Sequence, residues 1–250
     1  MTEPTRLGPV SGISVVVIPT YNEAQNIEAL VEEILRLGVG LRVLIVDDNS
    51  PDGTGELADG LAGRRPEVSV LHRPAKTGLG RAYVDGFRQA LAQGADCVLG
   101  MDADFSHDPK YLPQFLDAAG RADLVIGSRY LPGAGAVGWP LKRVLLSRFA
   151  NSYVRLITGL RAADCTSGYR LYRREVLEGI GLDSLISRGY SILVELCCRA
   201  SWLGFRLAEV PIIFGERAQG RSKMSKRVIL ESALLPWRLR WRRLFRRVGA

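Results

Sequence analysis

The chain is poor in the residues that build zinc or disulfide chemistry. It has two histidines, His72 and His107, and four cysteines, Cys97, Cys165, Cys197 and Cys198, with no CxxC spacing and two of the four adjacent. A zinc cluster needs several such ligands converging, and neighbouring cysteines do not normally bridge each other. Zinc and a disulfide scaffold are therefore set aside, and a reducing compartment fits best. Long apolar runs are missing too. No stretch reaches the roughly 18 uninterrupted apolar residues of a spanning helix, and MTEPTRLGPVSGISVVVIP lacks the basic, apolar and small-residue succession of a secretion signal. A soluble or peripheral protein is expected. Lysine is scarce, five against 29 arginines, a bias typical of GC-rich bacterial genomes. There is no GxxxxGK[ST] phosphate loop, and the GxG of KTGLGRA (76–82) lacks the spacing of a dinucleotide site, which demotes a kinase and a dehydrogenase. Gly78 and Gly80 read as a turn and helix start before Ala82, or as helix amides facing an anion.

What is present is an ordinary globular composition, 47% hydrophobic and 24% charged over 250 residues, enough for one large domain with its own core. The net charge is +8, and much of the excess lies in the last thirty residues, which points to an anionic surface partner there. Strand-length apolar runs alternate with helical patterns: ISVVVIP (13–19), RVLIVDD (42–48), SVLHR (69–73), DCVLGMDAD (96–104) and DLVIGSR (123–129) are separated by helices. In the first of these helices Ile27, Leu30, Val31, Ile34 and Leu35 form one stripe ended by Gly38. The next, DGTGELADGLA, is short; GRAYVDGFRQALAQG (80–94) and DPKYLPQFLDAA follow. The predicted fold class is α/β, a mostly parallel sheet with helices on both faces.

In such sheets ligands bind beyond the carboxyl ends of the strands. The first strand ends in Pro19, Thr20, Tyr21, Asn22 and Glu23, the second in Asp47 and Asp48, the fourth in Asp102 and Asp104, and the fifth in Ser128 and Arg129. Two aspartates one residue apart repel each other and lose hydration if buried, so a fold keeps them at a surface or around a cation. Turned by a loop, Asp102 and Asp104 can share a hard divalent ion such as Mg²⁺ or Mn²⁺ with a diphosphate; a solvated acidic turn is the other reading. Ser106 and His107 follow closely enough to add an outer ligand or a donor.

The segments VVIPTYNEAQNI, VLIVDDNSPDGT, KTGLGRAYVDGF, MDADFSHDP, GSRY, DCTSGYR and ERAQGRSKM resemble, in order, signatures of the polyprenol and dolichol phosphate mannose synthases of glycosyltransferase family 2, from about residue 13 to residue 227. The resemblance implies a GT-A type fold, a nucleotide sugar bound with Mg²⁺ or Mn²⁺, and transfer with inversion to a lipid phosphate. It divides the chain into an extension (1–12), a catalytic domain (13–227) and a C-terminal segment (228–250). It also implies that Pro19, Tyr21, Glu23, Val46, Asp48, Asp102 and Ala103 surround the nucleotide, and that Asp102 and Asp104 hold the metal. Ser106 stands where many relatives have Gln two residues after the second aspartate, and its shorter side chain is expected to ligate through water. Arg129, Arg143, Ser147, Arg221 and Lys223 match positions that gather around the acceptor phosphate. Asp164, in ADCTSGYR, either orients acceptor or sugar or is a buried loop aspartate. No general base is required, because a lipid phosphate with a second pKa near 6 is already anionic at neutral pH.

The tail VILESALLPWRLRWRRLFRRVGA places Leu230, Leu234, Trp237, Trp241, Leu244, Phe245 and Val248 on one helical side, with Arg238, Arg242, Arg243, Arg246 and Arg247 flanking or opposite. Pro236 either kinks this helix or starts a new one. WPLKRVLLSRFANSYVRLITG (139–159) repeats the pattern with Leu141, Val144, Leu145, Phe149 and Ile157 among Lys142, Arg143, Arg148 and Arg155. Basic amphipathic helices of this kind lie in membrane interfaces with their arginines at anionic head groups; packing on the domain or on a partner is the alternative. The expected partners are GDP-mannose, a polyprenyl phosphate and an anionic membrane surface at the cytoplasmic face, with a separate anchoring subunit possible. The same transfer from UDP-glucose or another UDP-sugar is the rival. Nucleic acid is disfavoured, since strand-end carboxylates repel phosphate unless a cation intervenes.

Overall fold

The computed structural model describes residues 12–187, 189–215 and 226–246, with side chains in the last segment described from 232 to 245. Its centre is a seven-stranded sheet of order β3-β2-β1-β4-β7-β5-β8. The strands are β1 (Ser14–Thr20), β2 (Leu41–Asp47), β3 (Val68–His72), β4 (Cys97–Gly100), β5 (Leu124–Ser128), β7 (Arg170–Arg173) and β8 (Leu207–Pro211). The register of β1 against β2 runs from Ser14 opposite Leu41 to Thr20 opposite Asp47, so both strands end at the same level.

Alternation along β1 explains why ISVVVIP is apolar throughout. Val15 and Val17 point into a core cluster with Leu44, Val46, Tyr83 and Phe87, whereas Val16 and Ile18 point into the opposite one with Val43, Ile45, Ile27 and Leu30. A strand covered on both faces has no polar side to present. The second cluster is roofed by α1 (Ile27–Arg36), α2 (Thr54–Arg64) and α4 (Leu112–Ala119), the first by α3 (Leu79–Ala92) and α7 (Ile192–Trp202). The expected stripe of α1 is buried at Ile27, Leu30, Val31 and Ile34, while Leu35 packs at its margin. Gly38, at φ 65°, carries the chain away from the helix.

Three features differ from the sequence expectation. The fourth strand stops at Gly100 instead of running through DAD, and Met101 makes one last ladder-like bond, its N–H to the Val17 carbonyl at 3.1 Å. β7 enters antiparallel between β4 and β5, so those two are not neighbours. Its four residues are too short for periodicity to reveal. A two-stranded parallel pair, β6 (Gly135–Ala136) with β9 (Ile213–Phe214), stands beside the main sheet.

α5 (Leu141–Thr158) and α8 (Lys226–Arg246) pack together, α8 continuing unbroken through Pro236; α6 (Arg174–Ile180) lies between β7 and α7 in the chain. Tyr153 Oη donates to the Ala233 carbonyl at 2.8 Å, Trp237 Nε1 donates to Tyr153 Oη at 3.0 Å, and Arg240 donates to the Ile157 carbonyl at 2.6 Å. The domain takes Leu235 and Leu239 of α8 into its core and leaves Leu234, Trp237, Trp241, Leu244 and Phe245 exposed, along with Leu141, Leu145, Leu146, Phe149 and Leu156 of α5. Val144 is half-buried and Ile157 buried. The apolar side predicted for the tail is thus outward wherever it is described; Leu230, Arg246, Arg247 and Val248 lie outside the described side chains, as the N-terminal extension to residue 11 lies outside the described residues. Among the described residues no helix is long and apolar enough to cross a membrane.

Candidate active site

The ends of β1 and β2 form one wall of the rim. Asn22 and Asn49 take positive φ, 63° and 56°, as asparagine tolerates in tight loops. Asp47 is structural: it accepts from Thr20 Oγ1 at 3.1 Å and from the Ser50 amide at 3.0 Å, tying the two strand ends together. Asp48 is buried against the guanidinium of Arg73, which also reaches Asp85 Oδ2 at 3.0 Å and the Thr77 hydroxyl. Burial pushes the Asp48 carboxyl above its usual range, and the charge of Arg73 opposes that shift. Tyr21 is half-buried with the Lys76 ammonium 3.3 Å from its ring centre, and Glu23 accepts from Asn26 Nδ2 at 2.9 Å. Pro19 is buried at the end of β1. Val46 and Ala103, expected at the nucleotide, turn their side chains into the core on opposite faces of the sheet.

The DAD loop turns on hydrogen bonds that its own sequence supplies. The Asp102 amide donates to His107 Nδ1 at 3.0 Å, Phe105 sits at φ 60°, and Ser106 bonds Asp104 Oδ1 twice, through its amide at 3.1 Å and through its hydroxyl. An imidazole accepting at Nδ1 is neutral with its proton on Nε2, and burial lowers the His107 pKa in agreement. Tyr83 of α3 is buried and donates to Asp102 Oδ1 at 2.9 Å. Ser106 is fully buried, and its hydroxyl holds the Asp104 carboxylate. Among the described residues no group of three or more His, Cys, Asp or Glu converges. Two hard carboxylates that leave further positions for diphosphate oxygens and water fit Mg²⁺ or Mn²⁺ shared with a nucleotide.

The opposite wall is cationic. Arg129, just past β5, is buried and bound to Asp164 through Nε–Oδ2 at 2.6 Å and Nη2–Oδ1 at 2.8 Å, with its amide adding a third contact at 3.2 Å. Asp164 is fully buried and also accepts from Thr166 Oγ1 at 3.0 Å and the Ser167 amide at 3.1 Å. Burial alone would raise its pKa, but the hydrogen bond and charge of Arg129 outweigh that and hold the carboxyl below its usual range. Asp164 is thus a buried loop aspartate that meets the rim through Arg129. Around Arg129 stand Trp139, Tyr130 and Phe214, with ring centres 5.2, 5.6 and 5.6 Å from its guanidinium carbon. Arg143, exposed in the first turn of α5, lies 3.8 Å over Trp139. Ser147, one turn on, accepts from Tyr130 Oη, and Asn151 bonds the Ser147 carbonyl at 3.0 Å and Thr166 Oγ1 at 3.2 Å, linking α5 to the loop of Asp164. Arg170 is fully buried with its guanidinium on the carbonyls of Cys165, Ser167 and Leu193, which clamps that loop from below. Arg221 and Lys223 lie outside the described residues.

The two walls meet through aromatic rings: His107 stacks on Tyr169 at 4.8 Å and meets the edge of Phe214 at 5.4 Å, and Phe214 in turn contacts Arg129. Residues 15–181 match the family model described as glycosyl transferase family 2. The chain belongs to glycosyltransferase family 2. An undecaprenyl-phosphate mannosyltransferase of Micrococcus luteus is 45% identical over 93% of this chain and 98% of its own length. A polyprenol monophosphomannose synthase of Mycolicibacterium smegmatis is 47% identical over 92% of this chain and 88% of its own. Among solved structures, the glucosyl-3-phosphoglycerate synthase of Mycobacterium tuberculosis with Mn²⁺ and UDP aligns with a TM-score of 0.64 at 22% identity, covering 91% of this chain and 79% of that one. A Pyrobaculum calidifontis mannosyltransferase with GDP-mannose and Mn²⁺ aligns with a TM-score of 0.55 at 17% identity, over 99% and 77%. These likenesses establish the GT-A type fold. In this family 2 glycosyltransferase, sequence reasoning missed Arg73, Tyr83, Trp139 and Phe214. Tyr83 lies in the GLGRAY segment, whose spacing carried no chemistry of its own, and the others contact the site only once the strands are assembled.

Proposed function

We propose that this glycosyltransferase moves mannose from GDP-mannose to a polyprenyl monophosphate with inversion at the anomeric carbon, working at a membrane surface as a peripheral protein. The observation that carries the reading is that one helix, α5, bears both Arg143 beside Arg129 and an exposed apolar side made by Leu141, Leu145 and Phe149. A phosphate joined to a long isoprenoid needs that combination, and the two relatives at 45% and 47% identity carry the same acceptor in their names.

Asp102 and Asp104 would hold the Mg²⁺ or Mn²⁺, which when bound offsets the charge growing on the departing diphosphate. Tyr83 and Ser106 aim the two carboxylates. Arg129, fixed by Asp164, and Arg143 hold the acceptor phosphate by charge-assisted N–H bonds so that its oxygen stands behind the anomeric carbon. Positioned donors replace a base, because the nucleophile arrives ionised. Asp48, with Arg73 behind it, and Tyr21 line the nucleoside side.

The test offers labelled GDP-mannose or UDP-glucose with a short polyprenyl phosphate, with and without EDTA, and follows label into the lipid phase. GDP-mannose alone is expected to give product, and EDTA to abolish it. Asp104→Asn should lose nearly all turnover, and Arg129→Ala should fall by about 10²–10³-fold, the range for removing a preorganised donor. Lipid product from no donor would end the proposal.

A further inference from the structure

Trp139 stands between the two arginines of the cationic wall. Its indole centre is 5.2 Å from the guanidinium carbon of Arg129 and 3.8 Å from that of Arg143. Phe214 meets the indole edge-on at 5.4 Å, and its own ring is 5.4 Å from His107, whose Nδ1 holds the Asp102 amide. An unbroken series of contacts therefore runs from the DAD loop through His107, Phe214 and Trp139 to Arg143.

The series matters most for Arg143. Arg129 is buried and bound to Asp164, and Arg143 is exposed at the start of α5, where an arginine loses rotamer entropy when it meets a ligand in one geometry. A π face under the guanidinium restricts that freedom while leaving its N–H edge directed outward. We infer that Trp139 is a positioning residue for the acceptor: by carrying Arg143 on its face beside Arg129, it sets the spacing of the two guanidinium groups that receive the lipid phosphate. This rests on the proposed lipid-phosphate reading.

Two substitutions separate the π face from mere bulk. Trp139→Phe keeps an aromatic face, and Trp139→Leu keeps apolar volume without one. Farnesyl phosphate serves as the probe, its binding followed by calorimetry and its mannosylation by steady-state kinetics, with melting temperatures recorded for each variant. Trp139→Leu is expected to weaken farnesyl phosphate binding and raise the acceptor KM by about tenfold, and Trp139→Phe by no more than about threefold, with the KM for GDP-mannose unchanged in both. Placed on Arg143→Ala, Trp139→Leu should add less than about twofold, since a residue acting through another is not additive with it. Equal behaviour of the Leu and Phe variants, or full additivity with Arg143→Ala, overturns the inference. Wild-type binding of farnesyl phosphate without transfer would defeat the catalytic reading alone, and absence of wild-type binding would defeat both.

Discussion

Arg129 and Asp164 form the pair on which the cationic wall rests. Both are buried, and the aspartate spends its oxygens on Arg129, Thr166 and Ser167. Removing one partner of a buried pair leaves an uncompensated charge, at a cost of about 3–5 kcal/mol. Asp164→Asn should therefore lower the denaturant midpoint as well as acceptor affinity, which urea titration would measure. The acid limb carries a further signature. Asp164 is held below its unfolded pKa of about 3.9, so its contribution is complete above that value and is lost as pH falls through the folded pKa. The wild type should lose stability across that acid window more steeply than Asp164→Asn; identical slopes in urea titrations between pH 5 and pH 2 would count against the pair.

At the scale of elements, α3 is pressed onto β1 and β2 so that Tyr83 reaches Asp102. The close approach needs Gly86: a Cβ there would lie 2.4 Å from Val17 Cγ1 and 2.9 Å from Val46 Cγ2, two fully buried side chains of β1 and β2. Gly86→Ala should cost about 1–3 kcal/mol as an overpacked core does, and by displacing α3 it should reduce turnover more than a surface substitution of equal stability cost. Much of this level was legible in the sequence. Apolar runs bounded by helical stripes predicted β1 to β5 and α1 to α4, because doubly covered strands and half-covered helices have different periods. The strand-end aspartates and Arg129 were legible from position alone. β7 was not, since RLYR begins and ends with arginines that only the fold can satisfy: Arg170 on buried carbonyls, Arg173 on the Ala119 carbonyl. Nor was the role of Ser106 or Trp139, because each acts through a neighbour that tertiary structure supplies.

At the scale of the whole molecule, α5 carries Arg143 at the cationic wall together with an exposed apolar side, and α8 packs on α5. α8 spends Leu235 and Leu239 on the domain and keeps Trp237, Trp241 and Phe245 outside, with Arg238 and Arg242 also exposed. Near an anionic bilayer each such arginine contributes about 1 kcal/mol, so Arg238→Gln with Arg242→Gln should reduce binding to anionic vesicles by roughly tenfold or more, and high salt should mimic the loss. Liposome flotation checks this, and unchanged flotation would rule out α8 as the anchor. The insertion of β7 carries a different consequence. Among the described residues, β5, which delivers Arg129, pairs only with β7 and β8, both encoded after α5, and β4 joins it only through β7. A ribosome that has already made every aspartate of the rim has therefore made no strand able to join the two walls. The centre closes late in translation, and a nascent chain halted before residue 170 holds the parts of an enzyme without the seam that unites them.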